Sequence, residues 1–262
     1  MESEEEALRL DLKTDSRIVQ TQALWAGIKP GMRIADLGCG PGKTTFELNR
    51  LVQPAGQSVG VDIARQRITY AEAHYSDPSI EYVLGDIREP LDHLGSFDFI
   101  WVRFVLEYYL YESRDIVKNI SRSLKPGGTL CLIDLDCNCL RYFGVPERLD
   151  RATRGVMQNL ERNLHFDPYV GVKLYSFLYD LGYTDIDIEV APHNLIFGSL
   201  KEHEKFNWMK KAELAGKKSG YSFDEYGGNF NDFMEDFQVF FRDPRIFTYT
   251  PMIACRGEKP AE

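Results

Sequence analysis

Short apolar runs alternate along the chain with stretches whose apolar positions recur every three to four residues, a pattern of strands and helices taking turns. Residues 5–27 carry Leu8, Leu12, Ile18, Val19, Leu24 and Trp25 at helical spacing and predict one helix, closed by Gly27 and the Lys29-Pro30-Gly31 break. Strands are predicted at 32–37, QSVGVDI (57–63), IEYVLGD (80–86), FDFIWV (97–102) and TLCLIDLD (129–136). The fourth is a near-continuous apolar run, as expected of a parallel strand covered on both faces. Helices are predicted to about Val52, over 64–76, and along the stripe Ile116, Val117, Ile120 and Leu124. Further helices are predicted at 147–163 and 169–181, then a sixth strand TDIDIEVAP (184–192) and a last strand IFTYTPMIACR (246–256).

Such alternation predicts an α/β fold, a doubly wound sheet whose ligands sit at the carboxyl ends of the strands. The expected organisation is an N-terminal helical segment (1–31), a core (32–192), a helical insertion (193–245), and the last strand and tail (246–262). In the insertion, Phe230, Phe233, Met234, Phe237 and Phe241 recur at helical spacing. A stretch of that length between adjacent strands points to a lid over the ligand, with packing on the outer face of the sheet as the alternative.

The stretch MRIADLGCGPGKT (32–44) organises the rest. A strand runs into Gly38, Gly40 and Gly42 and then into a helix, so a turn with positive φ and free helix N-terminal N–H groups faces whatever is bound. The dinucleotide fingerprint GxGxxG requires its third glycine at position 43, where this chain has Lys43. Asp36 stands two residues before the first glycine instead. Asp62 lies 62 − 42 = 20 residues past Gly42 at the end of the second strand, where a doubly wound sheet grips ribose hydroxyls; a helix N-cap is the other role such a residue fills.

The order of glycine turn, GVD, GD, FDFI and LKPGG resembles the class I S-adenosylmethionine (SAM) dependent methyltransferases over about residues 32–191 and again near 246–256. HFDPYVGVKLYSFLYDLGYTD (165–185) resembles a segment of the small-molecule group of that family. The resemblance implies a seven-stranded Rossmann-like sheet with the last strand antiparallel, and S-adenosyl-L-methionine as methyl donor. It implies cofactor contacts from Asp36, Gly38, Gly40, Gly42, Asp62, Ile63 and Arg103, with Asp86 and the main chain of Ile87 meeting adenine. The long insertion departs from the family pattern, and no NPPY-type motif of nitrogen methylation is present.

Composition narrows the partners. The 262 residues carry 31 basic and 40 acidic side chains, a net charge of −9 that repels phosphate backbones, so nucleic acid is not expected. No apolar stretch has the length of a signal peptide or membrane span, which predicts no membrane partner and a cytoplasmic location. Five cysteines (Cys39, Cys131, Cys137, Cys139, Cys255) form neither a disulfide framework nor, lacking a CxxC pair or nearby histidine, a zinc set; no metal is expected. The expected acceptor is a small molecule, with an apolar or aromatic one matching the phenylalanine-rich insertion. Transfer from a sulfonium rests mainly on positioning, and a base is needed only for a protonated acceptor. Asp134, Asp136, His165, Tyr169 and His193 are the candidates for that base. A SAM-binding regulator without activity and an NAD-dependent enzyme are the alternative readings.

Overall fold

The computed structural model describes residues 4–138, 140–198, 200 and 202–261. Seven strands form one sheet: β1 (Arg33–Leu37), β2 (Gln57–Asp62), β3 (Ile80–Leu84), β4 (Phe97–Arg103), β5 (Leu124–Leu135), β6 (Thr184–Phe197) and β7 (Phe247–Glu258). Their order is β3-β2-β1-β4-β5-β7-β6. β1 to β5 pair in parallel, and β7 runs antiparallel between β5 and β6. This is the expected sheet, and its strand order reverses between β1 and β4, the place where open α/β sheets hold ligands.

Alternate residues of the central strands feed two cores. On one face Leu37, Val61, Ile100, Val102, Leu130 and Leu132 meet Ile116, Val117 and Ile120 of α5 (Ser113–Ile120) and Leu174 and Leu178 of α7 (Leu174–Asp180). On the other, Ile34, Phe99, Trp101, Cys131 and Ile133 meet Val19 and Ala23 of α2 (Ser16–Trp25) and Leu48 and Val52 of α3 (Lys43–Val52). The period of two along each strand is what delivers side chains to both faces.

Two sequence expectations are corrected here. The helix over 5–27 is two helices, α1 (Glu4–Lys13) and α2, because the Asp15 carboxylate accepts hydrogen bonds from the Arg17 and Ile18 N–H groups and starts a new helix. β6 also runs through residues assigned to the insertion, to Phe197. Pro192, the last residue of the predicted strand, is tolerated inside β6 because β6 is an edge strand, and a register shift between His193 and Ile196 carries the strand onward.

Beyond β6, α8 (Glu202–Ser219) and α9 (Phe230–Phe240) pack against α6 (Glu147–Leu164). Their contact is a third core, built from Leu149, Val156, Trp208, Phe233, Phe237 and Phe241 among others. The insertion phenylalanines therefore pack on one another and on α6, whereas the sheet faces are covered by other helices. The remaining helix, α4 (Arg65–His74), follows β2 and contacts α1.

Candidate active site

Gly38, Gly40 and Gly42 have φ of 85°, 55° and 90°, and each glycine answers a different demand. A Cβ on Gly38 would lie 2.2 Å from Val105 Cγ2, and one on Gly42 would lie 2.5 Å from Ala71 Cβ of α4. These two permit close packing. A Cβ on Gly40 meets nothing within 4 Å and points into open space at the cavity wall. The turn is strapped to β2, since the Gly38 and Cys39 N–H groups both donate to Val61 O, at 2.7 and 2.9 Å.

Two buried carboxylates support the turn. Asp62 accepts from the Gly40 N–H at 2.9 Å and from the Ala64 N–H at 2.9 Å, and Arg67 lies 3.6 Å from it. It thus caps the approach to α4 while also facing the cavity. Asp36 accepts from Thr45 Oγ1 at 2.7 Å. Burial pushes the Asp36 carboxyl up to about 7, with Asp62 adding to the rise and Thr45 and Arg103 opposing it.

From this turn a cavity of about 590 Å³ extends beneath α6, α8 and α9. Arg9, Leu10, Lys13 and Thr14 close it from the α1 side. Lys43 Nζ donates to Asp11 O at 2.9 Å and the Tyr75 hydroxyl bonds Asp11, so α1 is tied to the start of α3 and to the residue that ends the helix over Arg65–His74. The far end is walled by Phe104, Glu107, Asn138, Tyr142, His193 and Trp208.

Glu107 is the acid that sequence reasoning missed. It follows β4 in a short turn of 3₁₀ helix and is buried. Asn138 Nδ2 donates to Glu107 Oε2 at 2.8 Å, and Lys211 of α8 donates to Asn138 Oδ1 at 3.0 Å. Asp134, fully buried at the end of β5, accepts from the Glu107 and Leu135 N–H groups. Burial raises both acids, and the Glu107 charge raises Asp134 further, whereas Lys211 and Lys13 pull Glu107 back down. The signal in the sequence was an acidic residue inside an otherwise apolar and aromatic stretch, FVLEYY.

Of the five base candidates, Asp134 is buried at the end of β5, and only His193 reaches the cavity. Its Nε2 is buried without a hydrogen-bond partner, and burial, with Lys13, Arg103 and Lys211 pushing the same way, holds its pKa well below the usual range. The other three have different roles. Asp136 lies 3.5 Å from Arg141, His165 ends α6 in the left-handed conformation against Tyr111, and Tyr169 donates its N–H to Asp167. None of the three lines the cavity, and neither do Asp86 and Ile87. Asp86 is engaged by Arg88 at 2.6 Å, and Ile87 is buried in the core beneath β1 and β4. Asp36, Gly38, Gly40, Asp62, Ile63 and Arg103 do line it, whereas Gly42 supports the turn from behind. Of the clustered cysteines, Cys131 is buried in the sheet, Cys137 lies 3.3 Å from Arg141, and Cys139 lies outside the described residues.

The methyltransferase domain family matches residues 35–132, from β1 to β5 and including the turn, Asp62 and Glu107. These elements are a methyltransferase domain. The domain is 33% identical over 110 residues to a demethylmenaquinone methyltransferase of Lactococcus lactis, covering 40% of this chain and 42% of that protein. It is 30% identical over 111 residues to a carboxy-S-adenosyl-L-methionine synthase of Shewanella, covering 40% and 45%. The matched stretch spans less than half the length of these curated relatives. Among solved structures, the YcgJ protein of Bacillus subtilis shares the fold, with a TM-score of 0.59 at 16% identity over 94% of this chain and 99% of that one. Among the described residues, no helix is long and apolar enough to cross a membrane.

Proposed function

We propose that the protein transfers a methyl group from SAM to a small-molecule acceptor enclosed beneath α6, α8 and α9. The observation that carries this reading is one continuous cavity joining the glycine turn and Asp62 to the chamber of Glu107 and His193. Its volume, about 590 Å³, is in the range of small-molecule and cofactor sites. The residues of the turn suit SAM. Gly40 leaves open space for close approach to the main chain, and Asp62, Ile63, Asp36 and Arg103 surround that space. SAM, when bound, supplies an electrophilic methyl group on a sulfonium centre. The names of the relatives, a demethylmenaquinone methyltransferase and a carboxy-SAM synthase, support a small acceptor.

The chain's own contribution is positioning, exclusion of water by the helical roof, and a proton acceptor. Glu107 is placed for the last role, because its carboxylate is desolvated and raised while Asn138 and Lys211 fix its orientation. Calorimetric titration with SAM, followed by a screen of acceptors for S-adenosylhomocysteine release, tests the proposal. Glu107→Gln should lower kcat for a protonated acceptor by about 100-fold or more while leaving SAM affinity unchanged. SAM binding without S-adenosylhomocysteine release from any acceptor would favour a regulator, and binding of NAD in place of SAM would favour a dehydrogenase.

A further inference from the structure

The cavity has the opposite charge balance to the protein. Among the described residues, seven lysines and arginines line it against three carboxylates, Asp36, Asp62 and Glu107, in a chain with 31 basic and 40 acidic side chains. All three carboxylates are already engaged, Asp36 by the Thr45 hydroxyl. Asp62 holds the glycine turn with Arg67 beside it, and Glu107 is held by Asn138.

Along the cavity wall three side chains stand in a row. The Arg103 guanidinium lies 4.1 Å over the Phe104 ring, and that ring lies 5.1 Å from the His193 ring. Arg103 Nε and His193 Nε2 are both buried and both lack a hydrogen-bond partner. The guanidinium also approaches the Met252 sulfur, a weak acceptor, at 3.9 Å. Asp36 and Asp134 exert a field on Arg103 without a hydrogen bond or ion pair to it. A guanidinium whose buried Nε lacks an acceptor is costly, because desolvation of that N–H is not offset. The missing partner is an acceptor of hydrogen bonds carrying negative charge. Lys211 reaches the same chamber from α8, its ammonium 3.0 Å from Asn138 Oδ1 and 5.5 Å from the Trp208 ring.

We infer that the methyl acceptor carries an oxyanion, a carboxylate or phosphate, which docks on Arg103 and His193 with Lys211 closing over it from the roof. This inference rests on the proposed function and names the class of acceptor. Phe104, Tyr142, Trp208, Phe233 and Phe237 would surround the apolar body of such a molecule. His193 joins as a neutral donor through Nε2–H, and Arg103 offers its planar fork.

The cofactor's own amino-acid carboxylate is a second source of the same chemistry, so the test uses protein saturated with S-adenosylhomocysteine, in which that group is already present. Benzoate, phenyl phosphate and indole-3-acetate are titrated calorimetrically beside the neutral benzamide and indole-3-acetamide. At least one anion should bind at least about tenfold more tightly than its neutral counterpart. In Arg103→Gln and in the half-exposed Lys211→Met, that preference should fall below about threefold, with S-adenosylhomocysteine affinity retained in Lys211→Met. Equal binding of amide and acid, no binding of any anion, or a preference unchanged in both variants overturns the inference. Anion binding that S-adenosylhomocysteine displaces also overturns it, by assigning Arg103 to the cofactor. Failure of S-adenosylhomocysteine itself to bind would instead remove the cofactor site on which the proposed function stands.

Discussion

The Gly40 N–H donates to Asp62 Oδ2 at 2.9 Å, so the carboxylate at the end of the second strand holds the tip of the glycine turn in place. Its other oxygen accepts from the Ala64 N–H, so one side chain links the turn, β2 and the start of α4. Asp62→Ala should therefore act twice. It should weaken SAM by about 1.5 to 3 kcal/mol, roughly tenfold or more, and it should lower the melting temperature because two buried N–H groups lose their acceptor. Asp62→Asn, which keeps one acceptor oxygen, should recover part of the stability and less of the affinity. Calorimetry beside thermal melts separates the effects. A lowered melting temperature with undiminished SAM affinity would leave Asp62 as a clamp alone.

The three glycines of the turn should fail in different ways. Gly38→Val would drive a branched side chain into Val105, and Gly42→Val into Ala71 and the Tyr82 hydroxyl, so both should be lost chiefly to misfolding or a steep fall in stability. Gly40→Val faces open space, and its cost to the fold is the left-handed backbone at φ 55°, of order 1 to 2 kcal/mol. It should stay folded by circular dichroism and lose SAM binding. Normal SAM affinity in folded Gly40→Val would remove the turn from the cofactor site.

Asp36 should make stability depend on pH in a direction unusual for a carboxylate. Its folded pKa is raised from 3.8 to about 7, so the folded state binds the proton more tightly than the unfolded chain does. The cost of ionising it is absent below about pH 4, grows as pH rises, and is complete above about pH 7. Asp36→Asn, which preserves the acceptor for Thr45, should raise stability at pH 8 by at most about 4 kcal/mol and change little at pH 4. Denaturant melts of both proteins across pH 4–8 give the difference directly. A difference that grows toward acid pH would contradict the raised value.

The sheet and its glycine turn were legible in the sequence because both depend on local rules. Apolar runs bounded by Gly and Pro mark buried strands, and positive φ at Gly38, Gly40 and Gly42 follows from glycine itself. Asp62 was placed by its distance along the chain from those glycines, which a βαβ unit fixes. What lay beyond was decided by tertiary packing. Glu107 becomes a site residue only because β4 and β5 end side by side and Asn138 and Lys211 converge on it from different elements. His193, Asp136, His165 and Tyr169 were equivalent as candidates by type and position, and only the path of an edge strand past Pro192 carries His193 to the cavity. Asp86 keeps its expected place after β3, yet the neighbouring Arg88 turns its carboxylate into an ion pair, an outcome set by side-chain geometry. The phenylalanines of α9 showed the period of a helix, but periodicity names a buried face without naming its partner. That α6 and α8 supply the partner, and that the resulting core roofs the cavity, is a consequence of contacts distant in sequence. The basic lining of the cavity was hidden for the same reason, since a net charge of −9 averages over positions that only the fold brings together.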